Sequence, residues 1–169
     1  MKQADTIFIE RLYDLADFLE KEIDPNLFSY AVFRSDEKGF SRPFISKNDC
    51  GSHGCALGWA ATRPDAPWAP EASDMGAFEC LDFEEYAKRI FGFRLMGIVD
   101  LIFFRNLFLQ HYDGKDQARF MIDICRKVAA QIKEHESADY NIIDKLIQKQ
   151  RAAFENTHQS IYHKQENHG

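Results

Sequence analysis

The sequence predicts a mainly α-helical protein, with one compact domain of about six helices, and three observations support this fold class. The 169 residues are within the usual size of a single domain and are enough to build a hydrophobic core. Apolar residues make up 45% of the chain and include 15 phenylalanines, so aromatic packing should dominate the interior. Apolar residues also recur at three- and four-residue steps over several long stretches, which is the spacing of a helical face.

The first helix is predicted from Asp5 to Ile23, because apolar residues share one face there and Asp24-Pro25 then stops the helix. We expect a helical core over residues 1–137, a C-terminal helix packed on it over 138–155, and a flexible tail over 156–169. The other helices are predicted at 54–61, 82–91, 95–104, 116–135 and 139–154.

Residues 27–46 break the helical pattern. The segment 27–33 is aromatic and β-branched, which is typical of a short strand. The segment 36–39 favours a turn, and 41–45 is the candidate return strand, although Pro43 would confine it to a sheet edge. The sequence therefore leaves open a short β-hairpin near residues 27–46.

The charge and composition limit the compartment and the classes of partner that we expect for the protein. The formal net charge of −6 disfavours non-specific binding to nucleic acid or to anionic lipid. No stretch approaches the roughly 20 apolar residues of a membrane span. Residues 1–5 have no basic region followed by an apolar run, so we expect no secretory signal, and the four cysteines should be reduced thiols. These features predict a cytoplasmic protein that binds neither membrane nor nucleic acid directly.

An acidic stretch overlaps the first turn of the predicted helix at 82–91. Residues 71–87 contain six acidic side chains and no basic one. A solvated loop followed by an acidic first helical turn explains this pattern, and the alternative is a negative patch that docks on a basic protein partner. The candidate partner-binding residues are Trp68, Glu71, Asp74, Glu79, Glu84 and Glu85.

The densest motif is Cys-Gly-Ser-His-Gly-Cys-Ala-Leu-Gly-Trp-Ala at residues 50–60. Gly51 and Gly54 permit unusual backbone angles where a helix begins. The small residues that follow let neighbouring elements approach closely, while Trp59 fills core volume. The favoured interpretation is structural, with both cysteines as small buried apolar groups.

This motif resembles that of a family of small bacterial and bacteriophage proteins of unestablished function, which carry Cys-Gly-x-x-x-Cys-x-x-Gly-Trp-Ala at the start of a helix. Residues 86–93 and 101–103 resemble the segments that follow in that family, so the resemblance covers residues 45–110. It implies no activity. It does imply an origin in phages or mobile elements, where small acidic proteins often block host machinery.

A metal site is the first alternative interpretation of the motif. Tetrahedral zinc accepts cysteine and histidine ligands, but structural sites usually recruit two tight pairs, and only one loose cluster exists here. We therefore expect no metal and no cofactor. The candidate ligands are Cys50, His53, Cys55 and Cys80.

A nucleophilic cysteine is the second alternative. A helix N-terminus would favour the thiolate of Cys55 or Cys50, and His53 or His111 could act as the base. Nothing in the spacing selects one pairing, so the sequence favours a protein without catalytic residues. The candidate acids for orienting the base are Asp49 and Asp113.

The sequence thus favours a non-catalytic protein-binding module that acts through an acidic surface. In its most specific form, this is a phage or mobile-element inhibitor of a host defence complex, such as an anti-CRISPR protein, whose carboxylates occupy a basic nucleic-acid channel. One alternative is a cysteine-dependent or zinc-binding enzyme that uses residues 50–55. Another is an oligomeric module, with monomer and homodimer both left open and packing onto the domain's own core preferred. Its candidate dimer seam is Ile142, Ile143, Leu146 and Ile147.

Overall fold

The structure is a computed structural model, and it describes residues 3–30, 34–35, 53–60, 87 and 90–166. Within these residues the secondary structure is mainly helical, as the sequence predicted. Three short 3-10 helices lie at Pro25–Leu27, Phe93–Leu95 and Leu107–His111. Among the described residues, the α-helices with both ends described are α1 (Gln3–Glu22), α2 (Ala56–Ala60), α3 (Met96–Phe103), α4 (Gly114–His135) and α5 (Tyr140–Glu166), and residues 87, 90 and 91 are helical as well.

Helices α1 and α4 form the central packed pair of the fold. Asp113 caps the start of α4 by accepting a hydrogen bond from the Asp116 amide at 2.9 Å, and Glu136 ends the helix in the left-handed conformation. Burial of one apolar face on each helix stabilises the pair. The buried residues include Phe8, Leu12, Leu15 and Leu19 of α1, and Met121, Cys125, Val128 and Ile132 of α4.

Aromatic rings connect the outer helices to this pair. Phe91 lies edge-on to Phe8 of α1, with ring centroids 5.4 Å apart, and stacks on Phe103 of α3 at 5.3 Å. Phe154 of α5 packs edge-on against Phe120 of α4 at 5.3 Å. Aromatic rings thus join the outer helices to the pair, but most buried side chains among the described residues are aliphatic, so aromatic packing does not dominate the interior as predicted.

A buried polar network fastens the chain after α1 to the centre of the fold. The Tyr30 hydroxyl accepts a hydrogen bond from the Asn106 amide at 2.8 Å, and the Tyr30 amide donates to Gln117 Oε1 at 2.7 Å. The Asn106 side chain donates to the carbonyl groups of Leu101 and Ile102 at the end of α3. Burial raises the pKa of Tyr30 to about 12. The network leaves these buried polar groups partnered, which limits the cost of burying them.

The β-structure differs in position from the hairpin that the sequence left open. Leu27, which was predicted to begin a strand, is the last residue of a 3-10 helix. Pro25 occupies the first position of this helix, and the Asp24 side chain caps it by accepting a hydrogen bond from the Asn26 amide at 2.9 Å. The short strand β1 (Arg34–Ser35) forms an antiparallel pair with the short strand β2 (His53–Gly54). The proposed return strand at 41–45 lies outside the described residues.

The last helix is longer than predicted. Helix α5 continues to Glu166, through most of the segment that was expected to be a flexible tail. The Thr157 hydroxyl donates to the Ala153 carbonyl at 2.9 Å, and His158 contacts Asp116 of α4. These contacts stabilise helical backbone where composition alone suggested fraying. None of the helices that the structure describes combines the length and the apolar character needed to cross a membrane.

Candidate functional site

The predicted partner-binding surface falls outside the described residues, but the chain on both sides of it is fixed. Trp59 and Ala60 at the end of α2 are buried. Ala87 and Ile90 are buried as well. Residues 60 and 87, which bound the segment that contains the acidic stretch, therefore belong to the hydrophobic core. The residues outside the described part are Trp68, Glu71, Asp74, Glu79, Glu84 and Glu85.

Helix α1 holds the chain that follows the acidic stretch. The Arg11 guanidinium donates a hydrogen bond to the Ile90 carbonyl. One turn earlier on α1, Phe8 contacts Phe91. At the start of α1, the buried Asp5 carboxylate forms an ion pair with Arg94. Three successive turns of α1 therefore position the segment immediately downstream of the predicted binding residues.

The outward side of α1 is acidic. Glu10, Asp14 and Asp17 follow one another at four- and three-residue steps, so they lie on one helical face. Glu10 and Glu20 are exposed to solvent, and Ile7, one turn before Glu10, is an exposed apolar residue. The same helix therefore anchors the acidic stretch and presents carboxylates of its own.

Arg126 of α4 neutralises the C-terminal part of this acidic face. Its guanidinium donates hydrogen bonds to Asp17 at 2.7 Å and to Glu20 at 2.6 Å. Hydrogen bonds from Lys21 and then Arg126 lower the pKa of Asp17, and the hydrogen bond from Arg126 lowers the pKa of Glu20. Because both acids are exposed, these pairs contribute little to stability. Their effect is to offset the negative charge of this part of the face.

Cys55 lies inside the core at the start of α2. Its side chain is 7% exposed, and burial raises the pKa of the thiol to about 12. A nucleophilic cysteine requires the opposite change, since only the thiolate attacks. Cys125 on α4 is fully buried, with its pKa raised by burial to about 12 as well. Burial in the core supports the structural interpretation of Cys55.

The other candidates of the motif give no reaction centre among the described residues. Only the backbone of His53 is described, in β2, and Cys50 and Cys80 lie outside the described residues. Across the part that is described, no three His, Cys, Asp or Glu side chains group closely enough to hold a metal ion.

The second histidine candidate is His111, and the acids proposed to orient it are Asp113 and Asp49. His111 is exposed at the end of a 3-10 helix. Asp113 uses its carboxylate to cap α4 at the Asp116 amide, so its oxygen is engaged in a structural bond. Asp49, the other orienting candidate, lies outside the described residues.

The candidate dimer seam on α5 packs mainly inside the domain. Ile143 is fully buried and Ile147 is 3% exposed, while Leu146 packs partly buried against the same core. Ile142 alone of the four is exposed, at 46%. In the structure, α5 therefore packs onto the domain's own core, as preferred from the sequence.

A groove that was not predicted from the sequence lies between α4 and α5. It has a volume of about 120 Å³ and is bordered at one end by His158, which pairs with Asp116 at 2.8 Å. The usable signal was the spacing of His158 four residues after Phe154, on the face that already carries Ile143 and Ile147. The other lining residues are Arg119, Asp123, Gln150, Ala153, Phe154 and Thr157.

Comparison with known proteins gives no relative for this arrangement. No family model, no curated protein and no solved structure matches the chain.

Proposed function

We propose that the protein is a non-catalytic binding module whose partner is a basic protein surface. The observation that carries the proposal is the outward acidic face of α1, on the helix that also anchors the chain directly after the acidic stretch 71–85. Charge complementarity of this kind steers association and selects partners. The burial of Cys55, with its raised pKa, favours binding over cysteine chemistry at the motif.

The chemistry of the partner follows from the sign of the surface. A surface rich in carboxylates competes with phosphates for arginine and lysine side chains. A complex that binds DNA or RNA through a basic channel is therefore a fitting target. The resemblance of residues 50–60 to small phage proteins supports the more specific proposal of a cytoplasmic inhibitor of a host defence complex, of the anti-CRISPR kind.

Charge reversal tests the proposal. We expect the variant Glu71→Lys/Asp74→Lys/Glu79→Lys/Glu84→Lys to lose a partner that the wild-type protein captures from a host lysate, as identified by mass spectrometry. In a gel-shift assay, the wild-type protein should lower DNA binding by the host's purified CRISPR effector complex, and the variant should not. The physical reason is the replacement of attraction by like-charge repulsion at the interface.

The controls separate binding from folding. Glu134→Lys/Glu136→Lys reverses two exposed charges at the end of α4 and should retain the partner, whereas Glu71→Lys/Asp74→Lys, with the same charge change, should lose it. Circular dichroism should show the same helical content in all variants. Retention of the partner by the fourfold variant would show that the acidic stretch does not bind it.

A further inference from the structure

His158 directs both of its ring nitrogens at hydrogen-bond acceptors. Nε2 lies 2.8 Å from Oδ2 of Asp116 on α4, and Nδ1 lies 2.8 Å from the Phe154 carbonyl oxygen one turn earlier on α5. A neutral imidazole carries a hydrogen on one nitrogen only, whereas an imidazolium donates from both. Both hydrogen bonds can therefore form together only when His158 is protonated.

Aromatic rings partly bury the His158–Asp116 pair. The imidazole lies on the Phe154 ring, with centroids 4.2 Å apart, and edge-on to Tyr112 at 4.9 Å. Its side chain is 14% exposed and that of Asp116 is 29% exposed, so solvent screens the pair incompletely.

Other charged groups near the groove act in both directions. Asp123 and Arg119 also line the groove, and their opposite charges act on the imidazole in opposite directions. On the same helix as His158, Arg151 and Glu155 pair with each other at 3.0 Å. The titratable groups around His158 are Asp116, Arg119 and Asp123 of α4, Tyr112 before α4, and Arg151 and Glu155 of α5.

We propose that His158 is a proton-dependent latch that holds the C-terminal part of α5 on α4. When the imidazole gives up a proton to solvent, one nitrogen lone pair faces either the Asp116 carboxylate or the Phe154 carbonyl. That contact is repulsive, so the helix from His158 to Glu166 is released and the Tyr112 and Phe154 rings lose their cover. The latch is closed when the imidazole is protonated and opens when it loses that proton.

Hydrogen exchange measured by mass spectrometry tests the latch. For wild-type peptides covering residues 155–166, we expect protection, corrected for intrinsic exchange, to be about tenfold higher at pH 6 than at pH 8, since a charge-assisted hydrogen bond shifts an opening equilibrium by this order. In His158→Gln and in Asp116→Ala, protection of these peptides should be low at both pH values.

Two controls identify the group responsible. His163→Gln removes another histidine of α5 and should leave the pH dependence intact. Peptides covering residues 118–132 of α4 should stay protected in every variant, which confirms that the core remains folded. Equal protection of residues 155–166 at pH 6 and pH 8 in the wild-type protein would overturn the proposal, as would a pH dependence that survives in His158→Gln.

Discussion

Replacement of Trp59 by alanine is expected to lower the free energy of unfolding by about 3–5 kcal/mol. Trp59 is 1% exposed and is one of the largest fully buried side chains in the described part of the protein. It extends from a helix of only five residues, Ala56–Ala60, whose other members are small or buried. Because all five residues of this helix are buried in the packed core, the surroundings can relax only partly and most of the removed volume should remain as a cavity.

Chemical denaturation followed by far-ultraviolet circular dichroism measures this loss. The conservative variant Trp59→Phe keeps an aromatic ring and should lose less stability than Trp59→Ala, because a smaller cavity remains. A Trp59→Ala protein with the stability of the wild type would show that the motif around residue 59 does not support the core.

Replacement of Gly114 by alanine is the second change with a large expected effect. A Cβ atom at this position would lie 2.6 Å from the Pro25 carbonyl oxygen and 2.8 Å from that of Phe28. Both neighbours are backbone atoms, so neither can rotate away as a side chain would. We expect the free energy of unfolding to fall by about 3 kcal/mol, because the start of α4 and the 3-10 segment must separate.

Gly97 provides a matched control for this substitution. An alanine Cβ there would meet only the Tyr140 ring, at 3.4 Å, which is an ordinary van der Waals distance. Because Gly97 lies inside helix α3, Gly97→Ala should be neutral or slightly stabilising by helix propensity. Denaturation curves that shift equally for the two variants would contradict the close approach at Gly114.

The sequence predicted the helices whose ends carry local signals. Asp24-Pro25 marks the end of α1, and Asp113-Gly114 marks the start of α4, so both were placed within a few residues. It did not predict the buried network, in which Asn106 contacts Tyr30 across 76 residues of chain. A pairing of that kind depends on the tertiary packing, and no local pattern encodes it.

Only part of the candidate site could be predicted from the sequence. The burial of Cys55 followed from the small residues around Trp59 and agrees with the structure. The His158–Asp116 contact was missed because its residues lie far apart in sequence, and because the polar composition after residue 156 suggested a tail. The acidic residues of α1 can be read from the sequence. Their placement on the helix that holds the chain after the acidic stretch depends on the hydrogen bond between Arg11 and the Ile90 carbonyl, which the sequence does not reveal.

The most direct test of the account is the reactivity of the thiol at Cys55, because the proposal of a binding module depends on the motif being part of the core. In the variant Cys50→Ser/Cys80→Ser, only Cys55 and Cys125 remain to react with a disulfide reagent such as DTNB near pH 8. Since burial raises the pKa of both thiols to about 12, we expect each to react only as fast as the protein unfolds, and to react at once in denaturant. A Cys55 thiol that reacts in the folded protein as fast as free cysteine would contradict the account and restore cysteine chemistry at the motif.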